Sequence, residues 1–260
     1  MSRCRFALVF AALAAVVLPG AARADDFAAT TTRIVVPFAP GGGTDIISRT
    51  LAQEMGKNLG GTVIVENKPG AGTIIGTEYV AKAQADGHTL VMATFAHAVN
   101  PSLRAKLPYD TDKDFTPVAL VARSFNIVVV NPNSGINSIS DLIKMAKEKP
   151  DGLNYGTFGP GTSAHLAGEL FKSLAHVKLT AVHYKGAAPA ITDLMGGTIQ
   201  VMFTTVASAL ARRSMAVRSI AVSSMGNPPT PLRPRRRRSR LPSRRPEYAR
   251  PRRRAPRLPS

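Results

Sequence analysis

Short apolar runs rich in Val and Ile recur between longer stretches of helical spacing across residues 32–223. Runs at 34–37, 62–66, 89–93, 153–157, 179–184, 199–204 and 218–223 have strand length and β-branched character, with turn residues at their ends. Two more, 118–121 and 127–130, read as one long bent strand. Between them lie helical patterns at 45–59, 72–83, 141–147, 164–174, 189–195 and 206–212. In the first of these, Ile46, Ile47, Leu51, Met55 and Leu59 fall near one face. Ser140 stands where it caps the third. Strand and helix in alternation predict parallel sheets with right-handed crossovers. A strand, a glycine turn and a helix start follow one another in each half of the chain. The pattern therefore reads as α/β with two lobes, 25–125 and 126–224, and a cleft beyond the carboxyl ends of the strands.

The two glycine turns carry the candidate chemistry. Gly41, Gly42, Gly43 and Thr44 interrupt an apolar run just before a helix. Glycines admit close backbone approach, and a helix start supplies unpaired N–H donors and a positive dipole end. Such a loop suits a carboxylate or another small anion, or serves simply as a tight turn and helix cap. Asp45 would repel an anion, so it is expected to cap the helix or fix the loop. Gly159, Gly161, Thr162 and Ser163 repeat the chemistry in the second half. Phe38 reads as a cleft wall or as core. Thr94 and Ala96 follow a strand end and are candidate contacts, whereas His97 reads as structural. His165 lies in a first helical turn, where the dipole disfavours its cation, so a neutral hydrogen-bonding role is expected. Lys185 reads equally as an anion attractant or a solvated lysine.

Composition divides the chain further. Arg3 and Arg5 begin a signal peptide over 1–24, residues 6–18 form an apolar stretch too short for a bilayer, and Ala22-Arg-Ala24 is a cleavage site. Cleavage after Ala24 implies a periplasmic protein. Cys4 is the only cysteine and precedes the apolar stretch, so neither lipid anchor nor disulfide is expected in the mature chain. The net charge of +18 is uneven. Residues 25–227 carry 18 basic and 15 acidic side chains, net +3, whereas 228–260 carry 13 Arg and one Glu, net +12. From about residue 225 no hydrophobic period remains, which predicts a disordered Arg/Pro-rich tail. Its composition is that of an out-of-frame reading of a GC-rich gene beginning near Asn227. The alternative is a basic arm adhering to a membrane surface or to nucleic acid. Tyr248 alone offers no stacking set, and no nucleic-acid module precedes it, so no nucleic-acid partner is expected.

No catalytic constellation emerges. Ser163 and His165 share one helical turn and are not aimed at each other, and there is no Gly-x-Ser-x-Gly motif. The five histidines lack metal-ligand spacing. The glycine loops match neither a nucleotide nor a dinucleotide fingerprint. We therefore expect no enzyme, no cofactor and no metal.

Seven segments, taken together and in order across 33–224, do point to a family. They are Val36-Pro-Phe-Ala-Pro-Gly-Gly-Gly-Thr-Asp45, Val65-Glu-Asn-Lys-Pro-Gly-Ala-Gly72, Asp86-Gly-His-Thr-Leu90, Tyr109 with Phe115-Thr-Pro-Val118, Val130-Asn-Pro132, Gly159-Pro-Gly-Thr-Ser-Ala-His-Leu166, and His183-Tyr-Lys-Gly-Ala-Ala-Pro-Ala190 with Leu194-Met-Gly-Gly197. The chain resembles the periplasmic receptors of tripartite tricarboxylate transporters, also called Bug proteins. The resemblance implies a type II-like Venus-flytrap fold and a monomer that captures a small organic anion for membrane permease subunits. It departs from the family at Thr204, where relatives carry an acidic residue that often faces the cleft. It departs again after 223, where relatives continue with elements that complete the first lobe; that lobe is therefore expected to be incomplete. A non-functional pseudogene product is the remaining alternative.

Overall fold

The computed structural model describes residues 29–150, 152–210 and 218–223. The signal-peptide, frame-shift and tail expectations lie outside these residues, as does the end of the helix expected at 206–212.

The first lobe is built on three parallel strands in the order β2-β1-β3. These are β1 (Thr32–Val36), β2 (Val63–Asn67) and β3 (Thr89–Val91). Helix α1 (Gly43–Leu59) joins β1 to β2, and α2 (Ile74–Ala81) joins β2 to β3 after a 3-10 turn at Ala71–Thr73. A further helix, α3 (Phe95–Leu103), was not expected, because Pro101 and Asn100 interrupt its apolar spacing. Pro101 forgoes the N–H that would donate to the His97 carbonyl, and the helix ends two residues later.

The second lobe holds a five-stranded sheet, ordered β6-β5-β7-β4-β8. Its strands are β4 (Asn126–Val130), β5 (Asn154–Thr157), β6 (Thr180–His183), β7 (Val201–Thr205) and β8 (Arg218–Ser223). Helices α4 (Ile139–Glu148), α5 (Ser163–Ala175), α6 (Ala187–Gly196) and α7 (Val206–Leu210) connect them. β5 pairs in parallel with β6 and β7, but β4 runs antiparallel to both β7 and β8. The sheet is mixed rather than wholly parallel, since the chain enters it along β4 from the first lobe. Residues 118–121 are not a strand; Val118, Leu120 and Val121 are exposed.

Two local expectations change. Ser138, not Ser140, caps α4, its hydroxyl accepting the Asp141 N–H at 3.1 Å. Helix α1 buries Gly43, Asp45, Ser48 and Ala52, leaving Ile46 and Leu59 about two-fifths exposed. Ile47, Leu51 and Met55 are half-buried, and the hydrogen-bond network of Asp45 fixes the start of the helix. The largest buried cluster draws Val36 and Phe38 from the first lobe and its other members from 127–203. Strands β4 and β7, buried on both faces, form its centre, with Tyr155 packed edge-on to Phe203 at 5.6 Å.

Candidate functional site

The first glycine loop is held by the protein's own groups. The Gly41 N–H donates to Asp45 Oδ2 at 2.9 Å, and the Gly43 N–H to Ser208 Oγ of the second lobe at 3.1 Å. A Cβ on Gly43 would lie 2.7 Å from the Ser208 nitrogen, so only glycine lets α7 seat there. Asp45 is 3 % exposed and takes a two-point contact from Arg49 together with a bond from Asn67 Nδ2 at 2.9 Å. Burial alone would raise its pKa, but the hydrogen bonds from Arg49, Gly41 and Asn67 outweigh this and lower it. Asn67 also donates to the Phe38 carbonyl at 3.0 Å. Asp45 thus brackets the loop between β1, β2 and α1.

The cavity between the lobes lies beside this loop, not inside it. About 170 Å³ is enclosed by Pro37, residues 70–73, 158–160 and 183–185. Pro37 follows β1, residues 158–160 follow β5, and 183–185 end and follow β6, so carboxyl ends of parallel strands from both lobes meet here. Three helices begin behind these loops: α2, α5 and α6. The N-caps of α2 and α6, Thr73 and Gly186, make no side-chain capping bond, whereas Thr162 of α5 accepts the His165 N–H. Uncapped first turns leave N–H donors for a ligand. No carboxylate side chain lines the cavity; His183 and Lys185 do.

The lobes touch directly around it. Ala39 N–H donates to the Lys185 carbonyl at 2.8 Å, and the Phe38 and Phe158 rings meet edge-on at 6.5 Å. Gly72 has φ +64°, and a Cβ there would lie 2.2 Å from the Pro160 oxygen. Its neighbours Ala71 and Thr73 also have positive φ, at 49° and 84°. Ala71 and Thr73, which flank the unstrained Gly72, store strain where the lobes approach.

Of the residues singled out by sequence, Gly159 lines the cavity and Phe38 backs it through Phe158. Gly41, Gly42, Gly43, Thr44 and Asp45 do not line it. Thr94 is the N-cap of α3 and Ala96 is fully buried in it, both away from the cavity. Gly161 donates to His165 Nδ1 at 3.3 Å, Thr162 Oγ1 donates to the Gly159 carbonyl at 2.7 Å, and Ser163 Oγ reaches Asn126 at 3.4 Å. Thr204 is fully buried in β7, its hydroxyl without a partner among the described residues, so it does not face open cleft. His97 packs against Phe115 and Tyr109 in an aromatic cluster.

The sequence reading passed over residues 70–73 and Tyr184. The Gly70-Ala-Gly72 segment followed a strand, which was the available signal. Asn100 of α3 was also missed; it holds the 70–73 loop by donating to the Gly72 carbonyl at 3.2 Å. A larger, more open depression of about 570 Å³ lies along 101–112. Arg104, Asp110 and Asp112 give it a mixed-charge wall that does not favour an anion.

The chain matches the family model described as tripartite tricarboxylate transporter family receptor over residues 47–228. It is 38% identical, over 213 residues, to the UPF0065 protein of the tcbD-tcbE intergenic region of Pseudomonas sp. (strain P51). That match covers 80% of this chain and 62% of the relative, so the chain spans less than two thirds of that relative's length. Among solved structures, R. palustris Rpa4515 with adipate is 36% identical with a TM-score of 0.72, over 75% of this chain and 67% of that one. MatC (Rpa3494) from Rhodopseudomonas palustris, with bound malate, is 33% identical with a TM-score of 0.68, over 75% and 67%.

Proposed function

Because the chain belongs to the tripartite tricarboxylate transporter receptor family, we propose that it captures a small organic carboxylate between its lobes and presents it to membrane permease subunits. The observation that carries this reading is the cavity. Strand carboxyl ends of both lobes meet at it, the loops that lead into α2, α5 and α6 form its wall, and its described lining includes His183 and Lys185 but no acid. Backbone donors at helix starts recognise an anion without needing a dedicated basic side chain. The volume, about 170 Å³, is below the range of drug-sized sites and suits a compact acid. Adipate and malate, held by the two related structures, have that chemistry.

On this reading the protein works outside the cytoplasm as a monomer and catalyses no reaction. Closure of the lobes around ligand is its working step. A ligand that binds only the folded state stabilises it by about 2.7 kcal/mol at a hundredfold excess over Kd. Thermal melts of the full chain against mono-, di- and tricarboxylates test this. We expect at least one acid to raise Tm in proportion to the logarithm of its concentration. A flat response across the panel would overturn the reading.

A further inference from the structure

We propose that His183 is a ligand-contacting residue, presenting its Nε2–H to the carboxylate in the inter-lobe cavity, and that Thr157 is the positioning residue that sets this tautomer. The inference rests on the carboxylate-receptor reading above. It begins with the polar side chains at the cavity wall. Tyr184 spends its hydroxyl proton on Asp193 Oδ2 at 2.7 Å. Thr73 Oγ1 receives Asn100 Nδ2 at 3.3 Å. Lys185 and His183 are both exposed at the end of β6, but of the two only the His183 side chain is oriented by a hydrogen bond, to Thr157. His183 remains, at the carboxyl end of β6, where ligands of such sheets sit.

Its protonation pattern follows from hydrogen-bond accounting. Thr157 is fully buried, and its Oγ1 accepts the Gly159 N–H at 3.1 Å. The same oxygen lies 2.7 Å from His183 Nδ1. A hydroxyl has one proton to give, and a buried one needs an acceptor. Gly159 N is a donor, so the Thr157 proton goes to His183 Nδ1. Nδ1 is then the unprotonated nitrogen and the ring carries its hydrogen on Nε2. His165 is set the same way: the Gly161 N–H donates to its Nδ1 at 3.3 Å, and its Nε2 faces Glu169 Oε1 at 3.9 Å. The two rings meet edge-on at 5.0 Å. Together they brace both ends of the 159–161 loop, one through Thr157 and Gly159, the other through Gly161.

The two imidazoles differ in what acid does to them. His165 cannot take a proton on Nδ1 without breaking the Gly161 bond. His183 can, since Thr157 Oγ1 has a second lone pair to offer. The charged groups near the pair are Glu169 and Lys172 on α5, Lys185 beyond β6, and Asp193 on α6, which Tyr184 engages. Lobe 1 brings only Pro, Gly, Ala and Thr to the cavity, none of them titratable. An anion beside His183 therefore opposes the burial that is the main cause of its lowered pKa.

Calorimetry of the full chain with malate and adipate, alongside long-range 1H–15N spectra of the imidazoles, tests the inference. We expect His183→Ala to weaken binding about ten- to a hundredfold, the range of one charge-assisted hydrogen bond. His183→Gln, which keeps a donor, should stay within about threefold. Thr157→Val should leave the fold intact by circular dichroism and mix the two His183 tautomers in the spectrum. Wild-type His183 with its hydrogen on Nδ1 would overturn the inference whatever binds. Equal affinities for wild type and His183→Ala would overturn it while leaving the receptor reading standing. A wild-type chain that binds neither acid, nor any other member of the carboxylate panel, would overturn both.

Discussion

Gly72 is where single atoms matter most. Its positive φ and its contact with the Pro160 carbonyl leave no room for a methyl group. Gly72→Ala should hold the lobes apart: we expect carboxylate affinity to fall more than about tenfold while the melt changes by about 1–3 kcal/mol, the cost of one strained residue. Titration calorimetry beside a thermal melt separates the two effects. Asp45 sets a different dependence. Its folded pKa lies below the unfolded value near 3.9, because its hydrogen bonds outweigh its burial. Its stabilisation is therefore complete above that value and is lost as pH falls through the folded pKa. Asp45→Asn should cost about 1–3 kcal/mol at neutral pH. In urea melts, the gap between variant and wild type should close below about pH 4. A gap constant down to strongly acidic pH would contradict this. Glycine positions and the buried role of Asp45 were legible in the chain, because backbone freedom and like-charge repulsion are properties of the residue. The partner of the Gly43 N–H was not, because Ser208 is remote in sequence.

At the scale of elements, helix starts do most of the functional work. That of α2 reaches the cavity through its N-cap Thr73 without a side-chain cap, that of α6 packs against Ala39 and Gly42 of the first glycine loop, and α4 is capped by Ser138. Helix α7 acts through one hydroxyl: Ser208 Oγ receives Gly43 and pairs with Thr205 Oγ1 at 2.8 Å. Ser208→Ala should cost about 1–2 kcal/mol of stability by orphaning a buried N–H. It should also speed ligand release, which stopped-flow dissociation would measure. An unchanged release rate would remove α7 from lobe closure. Strands and most helices followed from period and turn chemistry, with described boundaries shifted by at most two residues. Helix α3 escaped because Pro101 hides its spacing, and the exposed 118–121 run looked like a strand because apolar β-branched residues carry no record of what covers them. The apolar stripe of α1 is buried only in part: Ile47, Leu51 and Met55 are half-buried, whereas Ile46 and Leu59 at its edges are exposed.

Among the described residues the two lobes are unequal partners: three strands against five, with the main buried cluster almost wholly in the second. The exposed Ile46, Ile64, Val118 and Phe125 belong to the first lobe and the segment leaving it. Ligand that bridges the lobes therefore acts on the less self-sufficient half, and the melt response expected for a carboxylate measures that coupling. By itself the chain determined the α/β class, the two-lobed plan, the strand-to-helix glycine turns and the segments that mark its family. These depend on local spacing and backbone freedom, which are written residue by residue. Only the tertiary structure decided where the cavity lies, that the first glycine loop is filled by Asp45 and Ser208, and that residues 70–73 and His183 stand at the wall. Those facts depend on which distant groups satisfy each donor when the lobes meet, and no local pattern carries that information.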